Sequence, residues 1–155
     1  MIKIYNLADK PEFIETVVKW IYEEWGKNNF NYWNSWVRSS LLKDDVPQTL
    51  IALVDGELAG TASLWRCDLQ SRQDLFPWFG GLYVSIEFRG KEFNGEKIGS
   101  ALIKYSIDVL KSLSFKKAYL FTEKETSYYE RFGWKPIGFG YSEGDEQVNL
   151  CEINL

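Results

Sequence analysis

Leu82-Tyr83-Val84, then Arg89-Gly90-Lys91, then Ile98-Gly99-Ser100-Ala101-Leu102 is the run of residues on which the fold turns. An apolar strand-like run ends, a loop carrying glycine and basic residues follows, and a helix begins. The first N–H groups of a helix have no intrahelical partner, and the helix dipole favours an anion beside them. Glycine lets a phosphate approach the backbone closely. Arg89, Lys91 and Lys97 add positive charge. The stretch reads either as a pyrophosphate cradle or as an ordinary surface turn ahead of a helix. It is neither a P-loop nor a dinucleotide fingerprint, since GxxxxGK[ST] and GxGxxG are both absent.

Upstream, Ile2 to Asn6 reads as a short strand. Asp9 has the position of an N-cap, with Pro11 in the first turn and Glu12 at capping-box spacing. Phe13, Val17, Ile21 and Trp25 recur at i+4, giving an amphipathic helix that Gly26 ends. Trp33 to Lys43 is expected to form a second helix. Thr49 to Val54 and Glu57 to Arg66 flank the turn signal Asp55-Gly56, with Gly60 marking a bulge. Phe76 to Ser85 reads as a further strand, in which Gly80-Gly81 allows a bulge or a close backbone approach. Downstream, Ile98, Leu102, Tyr105, Val109 and Leu113 mark a helix over about 97–113. A strand at 118–122, a short helix at 127–132 and two strands at 135–141 and 147–153 complete the chain. Hairpins combined with a strand-helix-strand unit predict a mixed α/β domain, one unit over 1–155, with a central, mostly antiparallel sheet flanked by about four helices.

The 155 residues carry a net charge of −4 and no basic block longer than Lys116-Lys117, so no nucleic acid is expected as partner. No run approaches the roughly 18 apolar residues of a membrane span, and MIKIYNLADK lacks a leader's apolar region; no membrane partner and a cytoplasmic location are expected. The chain has no histidine. Ser-His-Asp and Cys-His arrangements are therefore excluded, as are most catalytic zinc sites, and no metal is expected. Cys67 and Cys151 are far apart and form no CxxC pair. Proton transfer falls to a carboxylate, tyrosine, lysine, thiol or water.

Ser127-Tyr128-Tyr129-Glu130-Arg131-Phe132-Gly133-Trp134 is the second informative run. Adjacent tyrosines on a helix point to different faces, so one can pack inward while the other meets a cleft. A phenol can donate a proton to a departing thiolate, although packing alone also accounts for the pair. Together, LYVSIEFRGK…KIGSAL and SYYERFGW, in this order and about 30 residues apart, resemble the two motifs of the GNAT superfamily of N-acetyltransferases. The likeness covers nearly the whole chain.

The resemblance implies an acetyltransferase that uses acetyl-CoA as co-substrate and moves its acetyl group to a primary amine of a small molecule or peptide by direct attack. The backbone of Leu82, Tyr83 and Val84 would bind the acetyl carbonyl and pantetheine arm. Arg89, Gly90, Lys91, Lys97, Ile98, Gly99 and Ser100 would hold the pyrophosphate, and Tyr129 would be the general acid. Members of the superfamily are often homodimers. The chain departs from the pattern in two ways. Lys97 stands where the first glycine of the loop belongs, and five extra residues lie between Arg89 and Gly99. The strand Pro77-Trp78-Phe79-Gly80-Gly81 carries no acid to serve as general base, which leaves Asp74, Asp68 or water. Trp65 and Trp78, on central strands, are candidates for contact with the substrate. The rival readings are a non-catalytic acyl-CoA-binding module and a transferase for another acyl group or for a protein N-terminus.

Overall fold

The computed structural model describes all residues 1–155. Seven strands form one sheet: β1 (Ile2–Asn6), β2 (Gln48–Val54), β3 (Glu57–Trp65), β4 (Trp78–Val84), β7 (Lys117–Thr122), β8 (Lys135–Tyr141) and β9 (Gln147–Asn154). Their spatial order is β1-β2-β3-β4-β7-β9-β8, and every pairing is antiparallel except β4 with β7. Two further strands, β5 (Glu92–Phe93) and β6 (Glu96–Lys97), make a separate small hairpin. The helices are α1 (Ile14–Trp25), α2 (Phe30–Arg38), α3 (Ile98–Ser112) and the single turn α4 (Ser127–Glu130). The expected mixed, mostly antiparallel sheet with four helices is the architecture observed.

Both faces of the sheet are covered, which is why every residue of β2 is buried. Leu50, Ala52 and Val54 turn toward α3 and join Ile98, Leu102, Ile103 and Leu110 in the larger core. Ile51 and Leu53 turn the other way, onto Val17, Val18 and Ile21 of α1. This period of two within an unbroken apolar run is the mark of a strand buried on both sides. α3 lies so close to β3 that a Cβ on Gly60 would come within 2.9 Å of the Ile98 side chain and of the Tyr83 carbonyl. Only glycine fits there. The bulge expected at Gly60 falls beside it, at Ala59, where Ala52 and Leu53 pair with Gly60 and Leu58.

Three local expectations are corrected. The capping box at Asp9 does not form: Leu7–Asp9 and Pro11–Phe13 are two 3-10 turns, and the side chain that caps is that of Asn6, accepting from the Ala8 N–H at 2.8 Å. Asp9 instead forms an ion pair with Lys43. The second helix begins three residues before Trp33 and stops at Arg38, because the hydroxyls of Ser39 and Ser40 both donate to the Trp36 carbonyl and close its last turn. The residues inserted between Arg89 and Gly99 are folded, forming the β5–β6 hairpin around Asn94 and Gly95 at φ 52° and 80°. Such paired positive φ angles define the Asn-Gly hairpin turn.

Candidate functional site

The site begins with a fault in the sheet. Parallel neighbours β4 and β7 share a single residue pair, Trp78 with Tyr119, and then separate. Just beyond that pair β4 bulges against β3: Ser63 pairs with Gly80 and Thr61 with Tyr83, so Gly81 and Leu82 together oppose Ala62. Gly81 adopts φ +60°, a conformation a side chain resists, and a Cβ there would lie 2.9 Å from the Trp65 ring. The bulge expected at Gly80-Gly81 is therefore present one residue further on, at Gly81-Leu82. Beyond it the Ser85 N–H donates to the Ala59 carbonyl at 2.8 Å. Alternation along a strand then turns the N–H of Val84 away from β3, into the gap that β7 has left. The Val84 carbonyl accepts from Arg89 Nε at 2.7 Å, with the Arg89 guanidinium over the Tyr83 ring at 5.1 Å.

The gap leads to the start of α3. Lys97 is the N-cap and offers no side-chain bond, so the first-turn N–H groups of this 15-residue helix have no side-chain cap. Gly99 and Ser100 are buried there, and a Cβ on Gly99 would lie 3.0 Å from the Tyr128 hydroxyl. Gly90 has open space around its Cα. Lys91 and Lys97 are exposed and form no ion pair, whereas Glu96 on the hairpin is held by Lys104 at 3.0 Å. The start of α3 lies against the end of β4, a Cβ on Gly99 standing 3.9 Å from Val84 Cγ2, and Arg89, Gly90 and Lys91 follow β4 on the connection between them. Uncapped N–H groups, glycines and unpaired cations are donors suited to a pyrophosphate.

The two tyrosines separate as their adjacency predicts. Tyr128 is partly exposed, with its hydroxyl over Gly99. Tyr129 is more deeply set, its ring 6.4 Å from that of Phe79 on β4. Burial, with smaller contributions from Tyr128 and Cys151, pushes the Tyr129 phenol up to about 12. Burial also pushes the Cys151 thiol up to about 11, so it is inert as a nucleophile near neutral pH.

The tryptophan candidates lie elsewhere than expected. Trp78 is 0% exposed, packed on Leu69, Val148 and Leu150, and its Nε1 donates to the Leu75 carbonyl at 2.7 Å. Trp65 is buried between the Gly80-Gly81 backbone and Trp36, the two indole rings meeting edge to face at 5.4 Å. Position on a central strand carries both rings into the core, where Trp65 is 5% exposed. Of the two acids considered, Asp74 is bonded to Arg72 at 2.9 Å, which holds its carboxyl below the usual range. Asp68 has no such partner, and burial pushes its carboxyl up to about 7. Two open depressions, of about 420 Å³ beside Glu125, Glu130 and Asn149 and about 660 Å³ between α1 and α2, lie outside the gap. Their linings contain none of the residues grouped around it.

This combination of splayed strands, bulge and uncapped helix start agrees with the family comparison: the acetyltransferase (GNAT) family profile matches residues 3–134. The chain belongs to the GNAT acetyltransferase family. Its fold is shared with an aminoglycoside 6'-N-acetyltransferase solved with coenzyme A (14% identity, TM-score 0.73, 99% of this chain and 96% of that one). It is shared also with an acyl-CoA N-acyltransferase from Pseudomonas aeruginosa (19% identity, TM-score 0.67, 99% and 98%). A Bacillus anthracis protein solved with acetyl coenzyme A covers less (18% identity, TM-score 0.58, 77% and 68%). No curated protein sequence matches the chain. As a GNAT protein it is an acyltransferase by family, and none of its helices is long and apolar enough to cross a membrane.

Proposed function

We propose that this GNAT protein transfers the acetyl group of acetyl-CoA to a primary amine, by direct attack within a ternary complex. The observation that carries the reading is the single pair joining β4 to β7, beyond which the Val84 N–H faces a gap that opens onto the uncapped start of α3. A thioester carbonyl laid in the gap meets a backbone donor where negative charge develops during attack. The diphosphate reaches the α3 N-terminus, with Arg89, Lys91 and Lys97 at hand. Holding thioester and amine together supplies much of the rate, because the bimolecular encounter is then already made. The coenzyme A and aminoglycoside named for the structural neighbours support a small-molecule amine as acceptor.

The β5–β6 hairpin replaces the short glycine loop usual at this position. It fixes the approach to α3 with an Asn-Gly turn and an ion pair to Lys104, leaving Lys97 as the residue that enters the helix.

Thermal unfolding with acetyl-CoA, CoA and NAD tests the cofactor assignment, and thiol release with an amine panel tests transfer. Acetyl-CoA and CoA at a hundredfold excess over Kd are expected to add about 2.7 kcal/mol of stability, with NAD adding none. A shift without thiol release from any amine would leave a binding module. No shift at millimolar ligand would remove the cofactor assignment altogether.

A further inference from the structure

From the geometry at Gly80 we infer that Asp68 is the acceptor's proton-taking residue: its carboxylate binds the incoming ammonium group and removes the proton that frees the attacking lone pair. The inference rests on the transferase reading above and names the group that strand β4 itself lacks.

Asp68 follows β3, in the connection that doubles back to β4. Its Oδ2 lies 2.6 Å from the point where a Cβ on Gly80 would stand. The carboxylate therefore occupies the volume that a side chain on β4 would fill, at the residue just before the bulge. The missing side chains of Gly80 and Gly81 both point to Trp65, and that of Gly81 also to Ile21 of α1. Phe79, Leu82 and Val84 turn to the opposite face, toward α3. Asp68 thus reaches the active strand from the α1–α2 side, opposite the helix that would hold the cofactor. Beyond the bulge the strand runs on to Val84, whose N–H faces the gap, four residues from Gly80. An acceptor lying along this face of the strand keeps its nitrogen within hydrogen-bond reach of the carboxylate as it approaches the thioester carbon.

Among the side chains that line Gly80 and Gly81, Asp68 supplies the carboxylate, and Tyr83 on the same face packs its ring on Trp20 of α1 at 5.0 Å. The indole nitrogens of Trp36 and Trp65 are donors only. The hydroxyls of Thr49 and Ser63 bond each other at 3.0 Å, and that of Thr61 donates to the Leu50 carbonyl. Next to Asp68 in the chain, the Cys67 thiol is pushed up by burial and, less, by the carboxylate itself. The basic residues on the same connection are engaged elsewhere: Arg66 lies over the Phe76 ring and donates to the Val46 carbonyl, and Arg72 holds Asp74. Asp68 is left half-buried with no protein cation and no hydrogen-bond donor, and burial alone raises its carboxyl to about 7. An unpaired carboxylate in such a place attracts a cation, and an ammonium supplies one. The raised affinity for a proton also narrows the gap to an amine of ordinary pKa near 10 by about three units relative to a solvated aspartate.

The step balances as follows. R–NH3⁺ gives one proton to the Asp68 carboxylate, becoming R–NH2. Its lone pair forms the C–N bond at the thioester carbon, and the C–S bond breaks. The second nitrogen proton leaves with the thiolate sulfur as CoA thiol, and Asp68 returns its proton to water.

The test uses the intact chain with acetyl-CoA and a panel running from n-butylamine and phenethylamine to polyamines and aminoglycosides, reading thiol release against pH. For the best acceptor, wild-type kcat/KM is expected to rise through an acid limb near pH 7. Asp68→Asn is expected to lose about 10²–10³-fold in kcat/KM and to lose that limb, while keeping the thermal shift with CoA, which shows that it is folded and binds. Asp68→Ala is expected to recover part of its rate when formate is added, a response a merely structural role would not give. An Asp68→Asn enzyme within about threefold of wild type, or one that keeps the limb near 7, overturns the assignment and leaves the transferase reading intact. A wild type that binds CoA but releases thiol with no amine overturns the transferase reading, and the role of Asp68 with it.

Discussion

Replacing Trp78 by alanine is expected to lower the unfolding free energy by about 3–5 kcal/mol, the cost of emptying the site of a large buried ring. At roughly 2–4 °C per kcal/mol for a chain of this size, the midpoint should fall by about 10 °C. The residue is wholly buried among Leu69, Val148 and Leu150, and its ring centroid lies 6.1 Å from that of Tyr119. It also forms the one pair that fastens β4 to β7. Loosening that pair removes the hinge from which the two strands diverge, so CoA binding should weaken together with stability. Trp78→Phe should cost less, since it keeps most of the apolar volume, although it leaves the Leu75 carbonyl without its 2.7 Å donor. Thermal melts followed by circular dichroism decide the matter. A Trp78→Ala protein that melts within about 2 °C of wild type, yet shows a raised KM for its amine, would return Trp78 to the substrate.

The same residue shows where sequence stops being legible. A strand position fixes alternation but not which face meets solvent, and in a sheet covered on both sides neither does. Trp65 and Trp78 therefore could not be sorted into cleft or core without α1, α2 and the β3–β4 connection in place. Features set by neighbours in the chain were readable. Asp55-Gly56 forms the hairpin turn, with Val54 paired to Glu57, and the glycine pair marks the bulge, which falls at Gly81-Leu82. Asn94-Gly95 carries an equally strong turn signal, and the hairpin it closes lies where the chain carries five residues more than the family pattern. The failed capping box at Asp9 has a different cause: Asn6 caps three residues earlier by accepting from the Ala8 N–H, the chain turns through two 3-10 turns before α1, and Asp9 faces Lys43. Asp68 belongs with these long-range features. Its spacing from the bulge in sequence says nothing, and its place over Gly80 exists only once the connection folds back.

Tyr129→Phe is expected to lower kcat by about 10²-fold while acetyl-CoA affinity changes less than about threefold, the signature of a donor used only as charge develops. The phenol is pushed up to about 12, chiefly by burial. A free thiol ionises near 8.5, so complete transfer from this phenol to the thiolate runs uphill by more than three units. The geometry therefore favours a hydrogen bond that stabilises the departing sulfur, with the sulfur's proton coming finally from the amine. Tyr129 also stays protonated across the working range, so no basic limb in the rate belongs to it below about pH 11. The linkage has a definite sign. The unfolded chain's tyrosine ionises near 10 and the folded one near 12, so stability is unaffected below 10 and declines above it, a decline that Tyr129→Phe removes. Tyr128→Phe serves as the contrast. Its hydroxyl stands over Gly99 at the helix start, so its loss should weaken CoA binding and leave kcat at saturation near wild type. Should Tyr128→Phe lower kcat and Tyr129→Phe leave it unchanged, the two adjacent phenols exchange roles, and the donor to sulfur is the exposed one.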